Sequence, residues 1–475
     1  MLQARGDQIV DAAGRPVRLR GVCVGGWMNL EHFINGYPGT EQGIRAAMEE
    51  ALGVDAGRKF FERLLDAMLA EDDIAFLKSC GVTVIRLPLN YRHFEDDAKP
   101  FAYREEGFAR LNRVLEWCAR HGVYAILDLH AVQGWQSPDW HCDNASRHAL
   151  LWQHPHFQDR LVALWEEFAR RYKGHATIAA YNIMNEPVSG GARGRYGDSY
   201  TPNWATLNHV YRRVVTAIRA IDPDHLIALE GDLFSTKFDG LDAPFAPNLI
   251  YSSHNYTPAG FGQGHYPGAF GAEDWDRAKQ RDVFLAHEGT RFAQQHRVPL
   301  WVGEFGSVYN GPSDEVNDRL RAVHDEIDVF EEFRAHWTMW TYKDIGVMGW
   351  VQVDPESDYM QRITPINQAR RQLSTESWMY WLPVTPAKEL IMNLAQLLMR
   401  AIPGYRVDPK SNGTYLRQAV LDCYVGNLIQ PAYAQRFAGL SDDELGATLA
   451  SFRLDRCRRH DGLLAVVKQH LARPV

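Results

Sequence analysis

The sequence predicts an α/β protein: a (β/α)8 barrel, the TIM-barrel architecture, with an additional helical insertion near the C-terminus. Two observations predict it. Eight short apolar runs, rich in Val, Ile, Tyr and Trp, alternate with amphipathic segments whose apolar residues recur every three or four positions. From about 370 to 455 the chain then offers helical patterns and no further strand. The same alternation leaves a doubly wound open sheet as the lesser possibility.

The predicted strands follow a predicted N-terminal hairpin, QIVDAAGRPVRLRGV. In order, they are VRLRGVCV, VTVIRLP near 82, VYAILDL near 123, IAAYNIM near 178, LIALE near 226, NLIYSS near 249, VPLWVGE near 298 and HWTMWTY near 336. The segments between them have one apolar stripe each, for example Phe157, Leu161, Leu164, Phe168 and Tyr172. That spacing is typical of helices that pack one face against a sheet.

The C-terminal third carries the predicted insertion. Its helical stretches are AKELIMNLAQLLMRAI, LRQAVLDCYVGNL and DDELGATLASF, all within 370–455. The last amphipathic run, DGLLAVVKQHLA at 461–472, has the pattern of the eighth barrel helix. We therefore expect a single catalytic domain over 1–475, with the helices of 370–455 inserted between strand eight and the last barrel helix.

Composition excludes several classes of function. The formal net charge is −8 and no Lys/Arg run with interleaved aromatics appears, so a nucleic-acid partner is not expected. No apolar run is long enough to cross a bilayer, so no membrane partner is expected either. The N-terminus lacks an apolar signal segment, which predicts a cytoplasmic protein, or a secreted one if a signal was trimmed. Six scattered cysteines predict buried free thiols.

The predicted strands end in polar residues, and in a barrel these ends meet at one mouth. In chain order they deliver Arg86, His130, Asn185 and Glu186, Glu230 and Asp232, His254 and Tyr256, Glu304, and Trp340 with Lys343 and Asp344 beyond it. Pro187 biases Glu186 toward an extended backbone, as the last residue before a loop. Folding alone does not explain a set of this kind, which indicates a catalytic mouth.

Glu186 and Glu304 fit the cleavage of a glycosidic bond. That reaction needs one protonated carboxyl to protonate the leaving oxygen and one carboxylate to attack or to activate water. Arg86 can keep one of the two ionised, and a barrel mouth provides environments that separate two carboxyl pKa values.

The ordered motifs RGVCVGGW, VIRLP, DLHAVQG, MNEP, HNY and GEFG, with the late Trp340, resemble glycoside hydrolase family five, in the retaining clan of (β/α)8 glycosidases. The resemblance covers roughly residues 8–345, and GVCVGGWMNLE and DLHAVQGWQSPDWHCDN are most similar to its exo-glucanase branch. It implies that Glu186 is the acid/base and Glu304 the nucleophile. The family's remaining active-site positions match Arg86, His130, Asn185, His254, Tyr256 and Trp340, which are expected to bind substrate.

Other motifs have a structural as well as a functional interpretation. Trp27, Trp135, Trp140, His141 and Trp350 fall in predicted mouth loops and are candidates for further sugar subsites. The imidazoles of HALLWQHPHF lack metal-ligand spacing, so neither a metal nor a cofactor is expected. GGARGRYGD at 190–198 is not in P-loop form, and we expect a flexible loop beside the acid/base.

These residues together predict a retaining β-glycosidase that hydrolyses β-linked gluco- or manno-type oligosaccharides by double displacement and acts from a chain end. The enzyme alternative is an endo-acting β-glucanase or mannanase. The non-enzyme alternative is a sugar-binding barrel that has lost catalysis. No oligomeric state is predicted.

Overall fold

Eight parallel strands form a closed barrel in the computed structural model, which describes residues 1–190, 200–262, 264–375, 385–404, 413 and 416–474. The strands are β1 Arg20–Cys23, β2 Val84–Asn90, β3 Tyr124–Ala131, β4 Ile178–Asn182, β5 Leu226–Glu230, β6 Leu249–Asn255, β7 Leu300–Phe305 and β8 His336–Met339. Each pairs with its neighbours in the sequence, and β8 pairs with β1 to close the ring. The predicted (β/α)8 barrel is confirmed.

Apolar side chains fill the lower part of the barrel. Val84, Ile126, Ala228 and Trp301 belong to one buried cluster contributed by different strands. An N-terminal hairpin pairs Gln3–Arg5 with Gln8–Val10 and adds Ile9 to the same cluster. It lies earlier in the chain than the predicted hairpin, which begins at Gln8 and is represented by an isolated bridge between Val10 and Pro16. Because this end is closed by packing, the polar strand ends open at the opposite end.

Amphipathic helices surround the strands. They are α1 Glu41–Leu52, α2 Val54–Met68, α3 Glu71–Cys80, α4 Glu105–His121, α5 Pro155–Tyr172, α6 Trp204–Ile221, α7 Arg277–Ala286, α8 Glu288–His296 and α9 Ser313–Glu332. Helix α5 begins with Pro155, whose fixed φ suits a first helical position, and it buries Leu161, Leu164, Phe168 and Tyr172 as its spacing predicts. Among the described residues, no helix is long and apolar enough to cross a bilayer.

The chain after β8 contains helices α10 Asp358–Leu373, α11 Pro386–Ala401, α12 Gly426–Ala434, α13 Asp442–Leu449 and α14 Asp461–Leu471, and a π-helical segment at Arg417–Val425. Outside the barrel, Val351–Val353 pairs with Lys343–Asp344 and with Cys457–Arg459 in a small sheet. The sequence did not predict this sheet, because its strands of two or three residues are too short to show a periodic pattern.

Helix α14 packs beside the barrel between α9 and α3. Leu463, Leu464 and Val467 are buried, and His470 Nε2 lies 3.0 Å from His324 Nδ1 on α9. This is where a helix that follows β8 and precedes β1 around the ring would lie. We propose that 1–475 forms one domain, with 370–455 inserted between strand eight and this last barrel helix.

The six cysteines are free thiols, five of them buried and Cys457 half-buried, as predicted. The GGARGRYGD loop lies, apart from its first residue, outside the described residues.

Candidate active site

The predicted site residues meet at the carboxyl end of the barrel, where a cavity of about 700 Å³ opens. Six of them line it: His130, Glu186, His254, Tyr256, Glu304 and Trp340. The volume is in the range of small-molecule sites.

Glu304, at the end of β7, is held by three neighbours. Arg86 donates a hydrogen bond to its Oε1, the Tyr256 hydroxyl donates to its Oε2 over 3.0 Å, and His254 Nδ1 lies 3.6 Å from Oε2. Burial alone would raise the pKa of Glu304, but the charges of His254 and Arg86 hold that pKa below its ordinary value. Glu304 is therefore ionised at neutral pH.

Glu186 follows β4 and is more exposed, with 13% of its side chain accessible. Its Oε1 lies 2.7 Å from His254 Nδ1 and its Oε2 lies 3.5 Å from His141 Nε2. The prediction of an extended backbone is wrong: φ is 45°, in the left-handed region. The Glu186 amide donates to Glu230 Oε2 over 2.8 Å, and this bond supports a conformation that the local sequence disfavours.

The two carboxylates face each other closely. One oxygen of Glu186, one oxygen of Glu304 and one ring nitrogen of His254 all lie within 4.8 Å of one another. The imidazole between them bonds the more exposed glutamate and approaches the more buried one.

Arg86 and Asn185 lie beneath the cavity floor and not on its surface. Both are fully buried. Arg86 Nη2 donates to Asn185 Oδ1 over 2.6 Å and lies 3.1 Å from Asp128 and 3.3 Å from Glu230. Burial alone would lower the pKa of Arg86, but the facing carboxylates keep it raised. Arg86 thus orients Glu304 and Asn185 from below, so the structure does not place either predicted binder at the surface.

His130 and Trp340 form one side of the cavity. Their rings stack with centroids 5.4 Å apart and planes at 13°. His130 Nδ1 lies 2.7 Å from Asp128 and its Nε2 lies 3.3 Å from Glu31. Burial alone would lower the pKa of His130, but Asp128 raises it to about 10. The imidazole is therefore a fixed cation beside a flat indole.

Sequence reasoning missed Glu31, which lines the cavity 3% exposed. Burial raises the pKa of Glu31 to about 7, although the His130 charge opposes this. The sequence signal that could have identified Glu31 is its position at the end of the motif GVCVGGWMNLE, in the loop eight residues past β1.

The five candidate subsite residues divide into two groups. Trp140 and His141 line the cavity. Trp27 and Trp350 are buried in the core, and the Trp135 indole donates to the Asp143 carbonyl over 3.0 Å, so these three do not line it. A tryptophan in a mouth loop can pack in the core, as Trp27 does, or line the cavity, as Trp140 does. Its position in the sequence does not distinguish the two.

Two further lining residues come from the insertion. Arg417 and Gln418 reach the cavity from the π-helical segment, and Arg417 Nη1 lies 3.1 Å from Asp422. Sequence reasoning missed both residues, because they lie far in sequence from the strand-end motifs and nothing in the sequence links them to the site.

Comparison with known families agrees with this geometry. The model described as Cellulase (glycosyl hydrolase family 5) matches residues 59–346. The chain belongs to glycosyl hydrolase family 5. The protein is thus a glycoside hydrolase, and the predicted family is confirmed.

Relatives of the family vary in length and name. The chain is 35% identical to a beta-xylosidase of Phanerodontia chrysosporium over 98% of this chain and 97% of that protein. It is 23% identical to endoglucanase C of Acetivibrio thermocellus over 60% of this chain and 87% of that protein. A solved glycoside hydrolase structure shares the fold, with a TM-score of 0.50 and 20% identity over 70% of this chain and 90% of that chain.

Proposed function

We propose that this family 5 enzyme is a retaining β-glycosidase that removes single sugars from the ends of β-linked gluco- or manno-type oligosaccharides. Glu304 is the nucleophile and Glu186 the acid/base. His130, His254, Tyr256 and Trp340 contact the reacting sugar or the carboxylates, while Arg86 and Asn185 position them from below.

The separation of the two carboxylates carries the proposal. Retaining glycosidases hold the carboxyl groups about 5–5.5 Å apart, whereas inverting enzymes leave about 6.5–9.5 Å for a water molecule. Oxygens of Glu186 and Glu304 within 4.8 Å of each other favour the first arrangement.

The reaction follows from the two environments. Ionised Glu304 attacks the anomeric carbon while Glu186 protonates the leaving oxygen, which gives a covalent glycosyl-enzyme. Glu186, now ionised, takes a proton from water, and that water displaces Glu304 and releases the sugar with its β-configuration retained. The Tyr256 hydrogen bond and the His254 charge keep Glu304 oriented and ionised before it attacks.

Exo-action is favoured by the insertion. Arg417 and Gln418 line the cavity from a segment outside the barrel, and Gln418 Oε1 is buried without a hydrogen-bond partner in the described part of the chain. An unsatisfied buried oxygen at a sugar site is ready to accept a hydroxyl hydrogen bond. An endo-acting enzyme needs a cleft that is open at both ends, because it must bind a chain that continues past the reacting sugar.

The glycone has a second candidate. The beta-xylosidase relative aligns with nearly the whole chain, including most of the insertion. A β-xyloside is therefore proposed beside the gluco- and manno-type substrates, and a panel of aryl β-glycosides of the three sugars ranks them. No turnover of any member would favour the catalytically inactive sugar-binding barrel.

The roles of the glutamates are tested by azide rescue. Glu186→Ala should still be glycosylated by a dinitrophenyl glycoside, whose leaving group needs no protonation, and azide should then restore turnover and give a β-glycosyl azide. Glu304→Ala should lose nearly all turnover, and any azide product should be the α-anomer. Wild-type enzyme with azide is the control. A β-azide from Glu304→Ala would exclude it as the nucleophile.

A further inference from the structure

Three consecutive residues after β5 have left-handed backbones. The φ angles are 48° at Leu233, 58° at Phe234 and 60° at Ser235. Residues other than glycine rarely adopt this region singly, and a run of three persists only where neighbouring contacts hold it. Strain of this kind clusters at functional sites.

Side chains on both sides of the run hold it. Asp232 Oδ1 accepts from the Leu233 amide over 2.5 Å, and the Thr236 hydroxyl donates to the Leu233 carbonyl over 2.6 Å. The Ser235 hydroxyl donates over 2.5 Å to Glu230 Oε2, the same oxygen that accepts the Glu186 amide. The run is thus anchored to the group that supports Glu186.

The run brings the Phe234 ring to the cavity, on the side of Glu186. The ring centroid lies 6.1 Å from that of His141, and His141 Nε2 lies 3.5 Å from Glu186 Oε2. The stacked pair of His130 and Trp340 lines the cavity from other strands. A general acid protonates the leaving oxygen, so the leaving group must depart on the Glu186 side.

Three further apolar side chains line the cavity, and the bond between Lys237 and Glu288 links their segment to the one that carries Phe234. Trp275, Val283 and Ala286 line the same cavity from the segment that follows β6. We call these three with Phe234 the Phe234 wall. Two charged residues that also line the cavity, Lys237 and Glu288, bond each other over 2.8 Å, so their charges are paired with each other.

We propose that the Phe234 wall binds an apolar leaving group, so that the enzyme also cleaves β-glycosides of aromatic alcohols and prefers them to glycosides of small alcohols. The inference rests on the proposed function. In the reaction, Glu304 forms a bond to the anomeric carbon as the bond from that carbon to the alcohol oxygen breaks, and the oxygen takes the Glu186 proton. Water then displaces Glu304, supplies the sugar hydroxyl and returns a proton to Glu186.

The test compares 2-phenylethyl and methyl β-glycosides of the glycone that the enzyme turns over fastest. Both leaving groups are simple alkoxides, so the ratio of their kcat/KM values reports binding of the phenyl ring. We expect a kcat/KM ratio of about ten or more in the wild type, because burying a phenyl ring contributes a binding free energy of that order. In Phe234→Gly, which keeps left-handed freedom without a ring, the ratio should fall to near one.

Phe101→Gly is the matched control. Phe101 also has a left-handed backbone, with φ 64°, and is 48% exposed on a hairpin away from the cavity. Its removal should leave the ratio at the wild-type value, and Phe234→Tyr should keep the preference.

A wild-type ratio near one would overturn the inference, as would a ratio that Phe234→Gly leaves unchanged. Equal loss on both glycosides would show that Phe234 only positions Glu186, which also overturns it. In all these cases the methyl glycoside is still hydrolysed by the wild type, so the proposed function stands. Hydrolysis of neither glycoside would instead remove the proposed function.

Discussion

At the scale of single residues, the site is organised around the His254 cation. Burial would lower its pKa, but the charges of Glu304 and Glu230 and hydrogen bonds with Glu186 and Glu230 raise it to about 10. The imidazolium in turn lowers the pKa of Glu304. One fixed charge therefore keeps Glu304, the proposed nucleophile, ionised and contacts Glu186, the proposed acid/base.

Replacing His254 should change the pH profile in a defined direction. Because the nucleophile acts only when ionised, a lowered Glu304 pKa extends activity to lower pH. In His254→Gln that pKa rises, so the acid limb of kcat/KM should move to higher pH by about one unit or more, the usual effect of losing a neighbouring opposite charge.

His287→Gln is the control for that experiment. His287 lines the same cavity, but burial lowers its pKa to about 4, so above this value no charge is removed. The acid limb of kcat/KM in His287→Gln should therefore stay at the wild-type position. Equal shifts in the two variants would show that His254 does not act through its charge.

Tyr256→Phe removes the hydrogen bond to Glu304 and no charge. Hydrogen bonds to ionised groups contribute about 1.5–3 kcal/mol, so kcat should fall by about tenfold or more with little change in KM. Tyr251→Phe is the matched control, since the Tyr251 hydroxyl has no hydrogen-bond partner within the described ranges. Similar steady-state losses in both variants would contradict the role of Tyr256.

At the scale of elements, helix α12 of the insertion docks on the loop that follows β1. Gln430 Nε2 donates to the Pro38 and Thr40 carbonyls, each over 2.9 Å, and the Thr40 amide donates to Asn427 Oδ1 over 3.0 Å. These contacts fix the insertion beside the mouth, where Arg417 and Gln418 complete the cavity.

Gly39→Ala should loosen this docking. Gly39 has φ 73°, and a Cβ there would lie 2.2 Å from Asn427 Oδ1 and 2.9 Å from the Asn427 amide nitrogen. Gly6→Ala is the control, with φ 60° and open space around the Cβ, so it carries only the left-handed strain of about 1–2 kcal/mol. Chemical denaturation should show a larger loss in the free energy of unfolding for Gly39→Ala than for Gly6→Ala, and the KM of Gly39→Ala should rise. Equal losses and an unchanged KM would mean that the insertion does not shape the site.

Elements with long periodic patterns were predictable, and the rest was not. Each barrel strand is a run of buried β-type residues, and α5 shows its buried stripe in the spacing of Leu161, Leu164 and Phe168. The left-handed backbones of Glu186 and Phe234 depend on bonds to Glu230 and Asp232, which the fold brings close. No local pattern records such contacts. The ends of the predicted strands identified most of the site, because most of its residues follow barrel strands. Arg417 was missed because it lies in the insertion and follows no barrel strand.

At the scale of the whole molecule, α14 joins the end of the chain to the barrel. Leu463, Leu464, Val467 and Leu471 are buried, and each such side chain contributes about 1.5–3 kcal/mol. Their sum is comparable to the net stability of a typical domain, about 5–15 kcal/mol. Val467→Asp places an unpaired carboxylate among these buried side chains and should therefore abolish cooperative thermal unfolding, whereas Gln469→Asp, on the exposed face, should melt like the wild type. A normal transition in Val467→Asp would contradict the single-domain proposal.

The central claim is that Glu304 forms a covalent intermediate with the sugar and Glu186 resolves it, and the stereochemistry of the first product tests this most directly. Proton NMR can follow the wild-type enzyme on an aryl β-glycoside and record the anomeric signals before mutarotation mixes them. Two displacements predict that the β-anomer appears first. Initial formation of the α-anomer would mean a single displacement by water and would contradict the roles assigned to both glutamates.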